Sequence, residues 1–121
     1  TIVTWGALVN KSILAANALA TEGVEVEVID IRTILPLDRD TILASVKRTG
    51  KLLIVHEDIL FMGFGAEIAA QVAEFAFEYL DAPIMRHGAK FALIPHAGSL
   101  EEVILPQNKT VEAALRRLVS Y

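Results

Sequence analysis

A histidine and two carboxylates stand side by side at positions 56 to 58, after an apolar run and just before a Gly-Phe-Gly turn. Histidine titrates near neutral pH and is the usual general acid or base, and a neighbouring carboxylate can orient it. The apolar run at residues 51–55 has the composition of a central strand, and open α/β sheets bind ligands at the carboxyl ends of such strands. His56, Glu57 and Asp58 are therefore the first candidates for a functional site.

Three kinds of chemistry do not fit this stretch. A dinucleotide-binding turn needs a third glycine where Ile68 stands, and the acidic loop would repel a phosphate. The three histidines lack the spacing that places two metal ligands on one helix face, and Ser99 lacks the glycines of a nucleophile elbow. The residues alone thus contain no pattern typical of nucleotide or metal binding. They favour a structural reading over acid–base chemistry, in which His56 hydrogen-bonds locally and the carboxylates are solvated or pair with a neighbouring chain.

The composition bounds the class of protein. The 121 residues fit one domain, residues 1–121, and 54% of them are hydrophobic, with a mean hydropathy of +0.49. So apolar a balance in a small domain indicates a surface that a partner covers. The first residues, TIVTW, have the pattern of a strand and no initiator Met, so we expect a piece of a longer protein.

Charge and cysteine usage exclude several classes of protein. The net charge is -4 and the eleven Lys and Arg are scattered, so no basic stripe is available for nucleic acid. No apolar run reaches the roughly 18 residues that a membrane-spanning helix needs. The absence of cysteine removes disulfides and thiolate chemistry, and it fits a cytoplasmic protein. We therefore expect neither nucleic acid nor a membrane as a partner.

Short β-branched runs alternate with longer segments of helical period. This pattern predicts an α/β fold, a three-layer α/β/α sandwich with a mostly parallel sheet of four to five strands. The predicted strands are residues 2–5, 24–29, 51–55 and 84–87. The predicted helices are residues 8–20, 39–48 with Asp38 as the cap, 64–80, and a last helix that Thr110 caps and that ends near Val119. Residues 88–109 predict a long irregular connection with one short strand near residues 102–105.

The predicted helix at residues 64–80 carries more apolar surface than a lone domain needs. At 100° per residue its polar side chains fall within about 60° of one another, which leaves an apolar arc of roughly 220°. We expect the large side chains to pack on the sheet and the alanines to form an adjoining smooth side. The large residues are Ile68, Val72, Phe75 and Tyr79, and the alanines are Ala66, Ala69, Ala70, Ala73 and Ala76.

The alanine side is predicted to contact another domain or subunit, and the glycines before it are predicted to permit close backbone approach. Another layer of the same chain would be the alternative cover for this side of the helix. The candidate interface residues are His56, Glu57, Gly63, Phe64, Gly65, Ala66, Ala69, Ala70 and Ala73.

Several stretches at characteristic intervals resemble one enzyme family. They are VIDIRTILPLD at residues 28–38, VHE at 55–57, GFGAEI at 63–68, DAPI at 81–84, and IPHA with LEEVILP within 94–106. Together they resemble the carboxyl-terminal domain of transketolase-like enzymes over nearly the whole chain. The similarity is greatest to the β subunit of the thiamine-dependent first component of 2-oxo acid dehydrogenase complexes. Two segments depart from the family pattern, residues 58–62 and 89–91, where the family carries other loop sequences.

The resemblance implies a parent enzyme that uses thiamine diphosphate and magnesium to decarboxylate a 2-oxo acid. The acyl group would then pass to lipoamide on a dihydrolipoyl acyltransferase. The IPHA stretch is more similar to the branched-chain, 2-oxoisovalerate members than to the pyruvate members. In this family the cofactor lies between the two preceding domains, and the Gly-Asp-Gly motif that holds it does not occur here.

The resemblance thus implies a domain that is inactive by itself and has no catalytic, cofactor-binding or metal-binding residue, so that His56 and Glu57 anchor the turn or a subunit contact. It also implies that the domain supports subunit assembly and helps to dock the acyltransferase. Its implied partners are the remaining domains of the β subunit, the α subunit, a second β subunit and the dihydrolipoyl acyltransferase. Two alternatives stay open, a free-standing flavodoxin-like binding module and the carboxyl-terminal domain of another transketolase-type enzyme. The full reading frame would decide, because upstream thiamine-domain motifs are either present or absent.

Overall fold

A four-stranded parallel sheet forms the centre of the structure, a computed structural model that describes residues 1–121. Its strands are β1 (Ile2–Thr4), β2 (Val28–Asp30), β3 (Leu53–Ile59) and β4 (Met85–Ala89), in the order β2-β1-β3-β4. The helices are α1 (Leu8–Ala20), α2 (Arg39–Thr49), α3 (Phe64–Ala76) with a 3-10 turn at Phe77–Tyr79, α4 (Gly98–Ile104) and α5 (Asn108–Val119). The predicted α/β class and parallel sheet are confirmed.

Helices cover both faces of this sheet. α1 and α5 pack on one face around a buried cluster that includes Leu19, Leu53 and Leu115. α2 and α3 pack on the other face around a second cluster that includes Ile54 and Ile68. Successive residues of β3 therefore enter opposite clusters, which explains why this strand begins as an unbroken apolar run. None of the helices is both long and apolar enough to span a membrane.

The connections between strands change direction at the centre of the sheet. The chain passes through α1 from β1 to β2 on one side, and then through α2 and α3 to β3 and β4 on the other. In parallel sheets a crevice opens at such a reversal, at the carboxyl ends of the two central strands, and ligands commonly bind there. Here those ends carry Trp5 after β1 and His56 within β3.

Local signals set the two ends of α2, as the sequence predicts. The carboxylate of Asp38 accepts hydrogen bonds from the backbone N–H of Thr41 at 3.1 Å and from its hydroxyl at 2.7 Å. These bonds hold the pKa of Asp38 below its usual range. Gly50 ends the helix with a φ of 69°, a left-handed conformation that favours glycine.

Three boundaries differ from the predictions. β2 is shorter, because only Val28–Asp30 pair with β1. β3 is longer and continues through His56 to Ile59, so the histidine and carboxylates belong to the strand instead of a loop. The helix after them ends at Ala76 and tightens into the 3-10 turn before Leu80.

The predictions for the chain after β4 are wrong in two places. A helix, α4, replaces the predicted short strand, because Leu100 and Val103 follow helical spacing and the sheet contains no strand for that segment to pair with. The N-cap of α5 is Gln107, and Thr110 is the third helical residue. The hydroxyl of Thr110 accepts a hydrogen bond from the backbone N–H of Gln107 at 2.9 Å, so the two residues form a capping box.

Candidate functional site

His56 lies at the centre of the carboxyl edge of the sheet. Pairing of Thr4 with Val55 in β1 and β3 makes the next residues, Trp5 and His56, neighbours on the face that α2 and α3 cover. The two rings stack, with 5.4 Å between their centroids and an angle of 5° between their planes. Gly88 of β4 lies next to the Cε1 atom of the imidazole. One buried ring therefore links three strands.

Three glycines enclose the imidazole of His56. A Cβ atom added to Gly65 would lie 2.5 Å from Nε2, and one added to Gly63 or Gly88 would lie 3.1 Å from Cε1. Protein interiors leave no free space for such an atom, so any side chain at Gly65 must displace the ring. The close approach that Gly65 permits is therefore to His56 of the same chain, and not to another domain.

The buried position of His56 disfavours the charged form of its ring. Its side chain is 0% exposed, and neither ring nitrogen has a hydrogen-bond partner. Burial lowers the pKa of His56, because the interior solvates the charged ring less well than water, and the Asp58 carboxylate offsets part of that effect. An unpaired buried N–H costs about 1–3 kcal/mol, so packing of the ring must compensate for it.

The neighbouring titratable groups do not assemble a catalytic constellation. Glu57 is half buried, with a carboxylate oxygen 3.9 Å from where a Cβ on Gly6 would stand. The Nε2 atom of His87 lies 3.0 Å from the hydroxyl of Thr110, and burial lowers the pKa of this second histidine. No group of three or more His, Asp or Glu side chains lies close enough to hold a metal ion.

α3 presents a stripe of apolar side chains beside its buried side. The buried residues are Gly65, Ile68, Val72 and Ala76. The stripe, termed here the α3 surface, consists of Ala66, which is half buried, and Ala70, Ala73 and Phe77, which are exposed. The three alanines follow three-four spacing and lie on one line along α3, and Phe77 begins the 3-10 turn that follows. Phe77 alone leaves 72% of its area in solvent, which is unusual for a residue of its size.

An open cavity of about 490 Å³ extends the α3 surface at its carboxyl end. It lies between Ala73, Phe77 and the segment that contains Pro83. A second open cavity, of about 480 Å³, lies on the polar side of α3 and is lined by Glu67, Gln71 and the loop before α2. Leu35 of that loop is 91% exposed. The α3 surface therefore extends beyond the helix at one end only.

Phe75 and Tyr79 do not pack on the sheet as predicted. The guanidinium of Arg39 lies 4.5 Å from the ring centroid of Phe75, and the ammonium of Lys47 lies 4.9 Å from that of Tyr79. Both rings thus cover cations of α2, a favourable cation–π arrangement. Ala76, which was expected on the smooth side, is fully buried in the cluster below the helix.

The structure divides the nine predicted interface residues by depth. His56, Gly63 and Gly65 are buried within the chain. Glu57, Phe64, Ala66 and Ala69 are half buried, and Ala70 and Ala73 are exposed. The buried group can act on a partner only by fixing where α3 begins, whereas the others are available for contact. Their role at an interface stays a prediction.

Two features of the site have no counterpart in the sequence predictions. Trp5 and Gly88 meet His56, and the signal for this is that residues at the ends of adjacent parallel strands come together. Using that signal requires the strand order, which local patterns do not give. The second feature is the contact of Phe61 with Phe91, whose ring centroids are 6.2 Å apart.

Replacing Gly65 with alanine is expected to destabilise the chain by about 1–3 kcal/mol. The new methyl group collides with Nε2 and Cδ2 of the His56 ring, and the stacked Trp5 limits how that ring can move. Helix propensity favours alanine by about 1 kcal/mol, so the collision must outweigh that gain. Urea denaturation followed by circular dichroism measures the unfolding free energy.

Gly98→Ala is the matched control for Gly65→Ala. Gly98 also lies in the first turn of a helix, but an added Cβ there would have no atom within 4 Å. This variant should be as stable as the parent chain or slightly more stable. Equal stability of the two alanine variants would contradict the tight enclosure of His56.

The unfolding free energy is expected to fall as the pH drops from about 7.5 to 5.5. Burial lowers the pKa of His56 and of His87, so below about pH 6.5 the unfolded chain binds more protons than the folded chain. This contribution to stability is complete above the unfolded pKa and is lost as the pH falls through the folded pKa. Urea titrations across this range give the slope. His56→Leu should make the slope shallower, and an unchanged slope would show that His56 does not contribute.

A family model described as "Transketolase, C-terminal domain" matches residues 1–111. The chain is 46% identical over 121 residues to the pyruvate dehydrogenase E1 component subunit beta of Rickettsia felis, covering 100% of this chain and 37% of that protein. It is 44% identical over 117 residues to the mitochondrial pyruvate dehydrogenase E1 component subunit beta-1 of Arabidopsis thaliana, covering 97% of this chain and 32% of that protein. The chain thus spans about a third of the length of these curated relatives.

A solved structure titled "Split gene transketolase, inactive beta4 tetramer" has the same fold. It superposes with a TM-score of 0.83 at 24% sequence identity, over 98% of this chain and 38% of that chain. The family model, the two relatives and the shared fold all cover the four-stranded sheet together with the segment that encloses His56. The chain belongs to the transketolase C-terminal domain family.

Proposed function

We propose that the chain serves as the non-catalytic C-terminal domain of the β subunit of a thiamine-dependent 2-oxo acid dehydrogenase, where it supports subunit assembly. The observation that carries this proposal is 46% identity across the whole chain to a protein named as a pyruvate dehydrogenase β subunit. Such relatives are about three times as long as this chain, which supports a role as one domain among several.

The carboxyl edge of the sheet supports a role without chemistry. Diphosphates bind where backbone N–H groups or cations converge, usually at a glycine-rich turn before a helix. This edge instead carries the carboxylates of Glu57 and Asp58 and the Asp30–Arg32 ion pair, and His56 is enclosed, where burial lowers its pKa. The residues present do not fit thiamine diphosphate, so other domains of the parent enzyme would hold it together with magnesium.

In the parent enzyme the cofactor supplies the decarboxylation of the 2-oxo acid, and the acyl group passes to lipoamide on a dihydrolipoyl acyltransferase. This chain takes no step of that reaction in our proposal. The names of the relatives favour pyruvate as the substrate, whereas the IPHA stretch favours 2-oxoisovalerate. Assays of the complete enzyme with both acids side by side would decide between them.

The α3 surface is the proposed contact with the α subunit. Small side chains allow a second element to approach a helix closely, and the exposed Phe77 and the cavity beside it offer places for larger side chains. The remaining domains of the β subunit, a second β subunit and the acyltransferase are further proposed partners. The cytoplasmic location stays a prediction, because the Arabidopsis relative is named as mitochondrial.

Replacing Ala73 with lysine in the full-length β subunit is expected to reduce assembly with the α subunit at least about tenfold, because the charge would be buried in the contact. Ala73 is exposed in this chain, so the unfolding free energy of the chain itself should change by less than about 0.5 kcal/mol. Size-exclusion chromatography with light scattering measures assembly, and the dehydrogenase assay measures activity.

Glu78→Lys is the control for Ala73→Lys. It introduces the same side chain at an exposed position in the 3-10 turn after α3, outside the α3 surface. Assembly should be unaffected by it. If Ala73→Lys assembled as well as Glu78→Lys does, the α3 surface would not be the contact.

This chain alone is expected to show no binding of thiamine diphosphate in the presence of magnesium by isothermal titration calorimetry. The physical reason is the cluster of carboxylates at the carboxyl edge, which would repel the diphosphate. Inorganic pyrophosphate with magnesium is the control for nonspecific anion binding. Tight one-to-one binding of the cofactor would show that the proposed division of labour between domains is wrong.

A further inference from the structure

His56 is the only buried side chain of the chain that can carry a charge. The buried polar side chains are those of Thr1, Thr4, Ser12, Ser45 and His56, and the first four end in neutral hydroxyl groups. The imidazole of His56 lies between β3, on which it stands, and the first turn of α3. The proposed function uses this ring only for packing, although it can bind a proton.

The neutral ring holds the first turn of α3 against the sheet. Its Nε2 and Cδ2 atoms lie 2.5 and 2.6 Å from where a Cβ on Gly65 would stand. The ring stacks on Trp5, and Trp5 meets the ring of Phe64, the first residue of α3, with 5.7 Å between centroids. The N-cap, Gly63, has no side chain that could bind the free N–H groups of this turn. Packing on His56 and Trp5 therefore fixes where α3 begins.

A charged ring would have no hydrogen-bond partner in the same place. An imidazolium carries two N–H donors, and neither ring nitrogen of His56 has a partner in the enclosed position. A buried charge without paired acceptors is far less stable than a buried neutral ring. The charged ring is therefore stable only where it reaches water, and one of the elements that enclose it has to move.

The charged groups around the ring act in both directions. Burial has the largest effect and lowers the pKa of the ring. On β3 the carboxylate of Asp58 and its nearby carbonyl favour the charged form, although that carbonyl does not reach hydrogen-bond geometry, and Glu57 lies on the opposite face. On β4 Arg86 and His87 disfavour the charged form. The first charged residue of α3 is Glu67, which is exposed. These groups together leave the effect of burial in place.

We propose that His56 holds the start of α3 only while its ring is neutral, and that protonation frees the first turn of this helix from the sheet. Val55 pairs with both β1 and β4, so the strand just before the ring is fixed on both edges. The β3–β4 ladder is irregular directly after Val55, which allows the side chain of His56 to turn. Gly63 and Gly65 give the start of α3 backbone freedom. The first turn of α3 is therefore the element that moves.

Release of this turn would shift the α3 surface. Ala66, the first residue of that surface, follows Gly65 directly, and its backbone N–H donates to the carbonyl of Gly63 at 2.9 Å within the same turn. The contact with the α subunit should therefore weaken as the pH falls below about 6.5, the ordinary pKa of histidine. This consequence rests on the proposed function, whereas the release of the turn does not.

Hydrogen exchange of the full-length β subunit, followed by mass spectrometry at about pH 7.5 and about pH 5.5, tests the release. After correction for the intrinsic effect of pH on exchange, the amides of residues 66–70 should exchange at least about tenfold faster at the lower pH. The amides of α5, on the other face of the sheet, should not change. His56→Leu should remove the acceleration, and His56→Gln is a second variant that cannot titrate.

Two exposed residues test the direction of the effect without a change in the core. Arg86→Gln removes a cation that disfavours the charged ring, so the release should move to higher pH. Asp58→Asn removes the carboxylate that favours the charged ring, so the release should move to lower pH. His87→Gln is the control for the second partly buried histidine, which contacts Thr110 of α5. It should retain the release of α3.

Four results would overturn this inference. The first is exchange at the start of α3 that does not depend on pH. The second is an acceleration that persists in both His56 variants. The third is opening of α5 together with α3, which would indicate unfolding of the whole domain. The fourth is a release that Arg86→Gln and Asp58→Asn shift in the same direction or not at all.

Assembly of the same β-subunit variants with the α subunit separates this inference from the proposed function. The parent β subunit should bind at least about tenfold more weakly at the lower pH, and His56→Leu should lose that difference. If α3 opens while assembly is unchanged, the release stands and the α3 surface is not the contact. If assembly weakens while α3 stays protected, the pH effect has another source and the release through His56 is refuted.

Discussion

The enclosure of His56 is the constraint on which the rest of the structure depends. Its ring stacks on Trp5, which follows the central strand β1, and it lies against Gly65 of α3 and Gly88 of β4. A single side chain therefore fixes the distance between the sheet and the first turn of α3. Because there is no room for a Cβ at Gly65, the helix sits closer to β3 than a helix of ordinary residues could. The position of α3 in turn decides which of its alanines face outward.

Once α3 is fixed in this way, its wide apolar arc divides into a buried part and a free part. Ile68, Val72 and Ala76 are sufficient to cover the sheet below the helix. Phe75 and Tyr79 lie outside the core and contact Arg39 and Lys47 of α2. These cation–π contacts stabilise the packing of α2 against the α3 segment. The α3 surface remains uncovered, and burying a side chain as large as Phe77 is favourable by about 1.5–3 kcal/mol. That free energy is available for association and does not contribute to folding.

Features with a local cause could be predicted from the sequence, and features with a distant cause could not. Asp38 and Gly50 mark the ends of α2 because capping depends on residues within one turn. His56 was placed at the end of its strand, but its stacking on Trp5 requires knowledge of which strands are neighbours. α4 was missed because its seven residues, which begin with Gly98, are too few for a period that distinguishes a helix from a strand. The interface candidates likewise mix buried and exposed residues, since burial of Gly65 depends on a ring that is distant in the sequence by nine positions.

The side chains in the crevice between β1 and β3 differ from those expected of a free-standing binding module. Such a module needs an open carboxyl edge, where backbone donors or cations can reach a ligand. Here Trp5 and His56 pack against each other at that edge, and the side chains beside them are carboxylates. Exposed apolar area lies elsewhere, on the α3 surface. Trp5 and His56 fill the crevice between β1 and β3, and the open cavity of about 580 Å³ beside β1 and β2 contains the Asp30–Arg32 ion pair. The proposed role as one domain of a larger enzyme therefore rests on the apolar surface and not on the crevice.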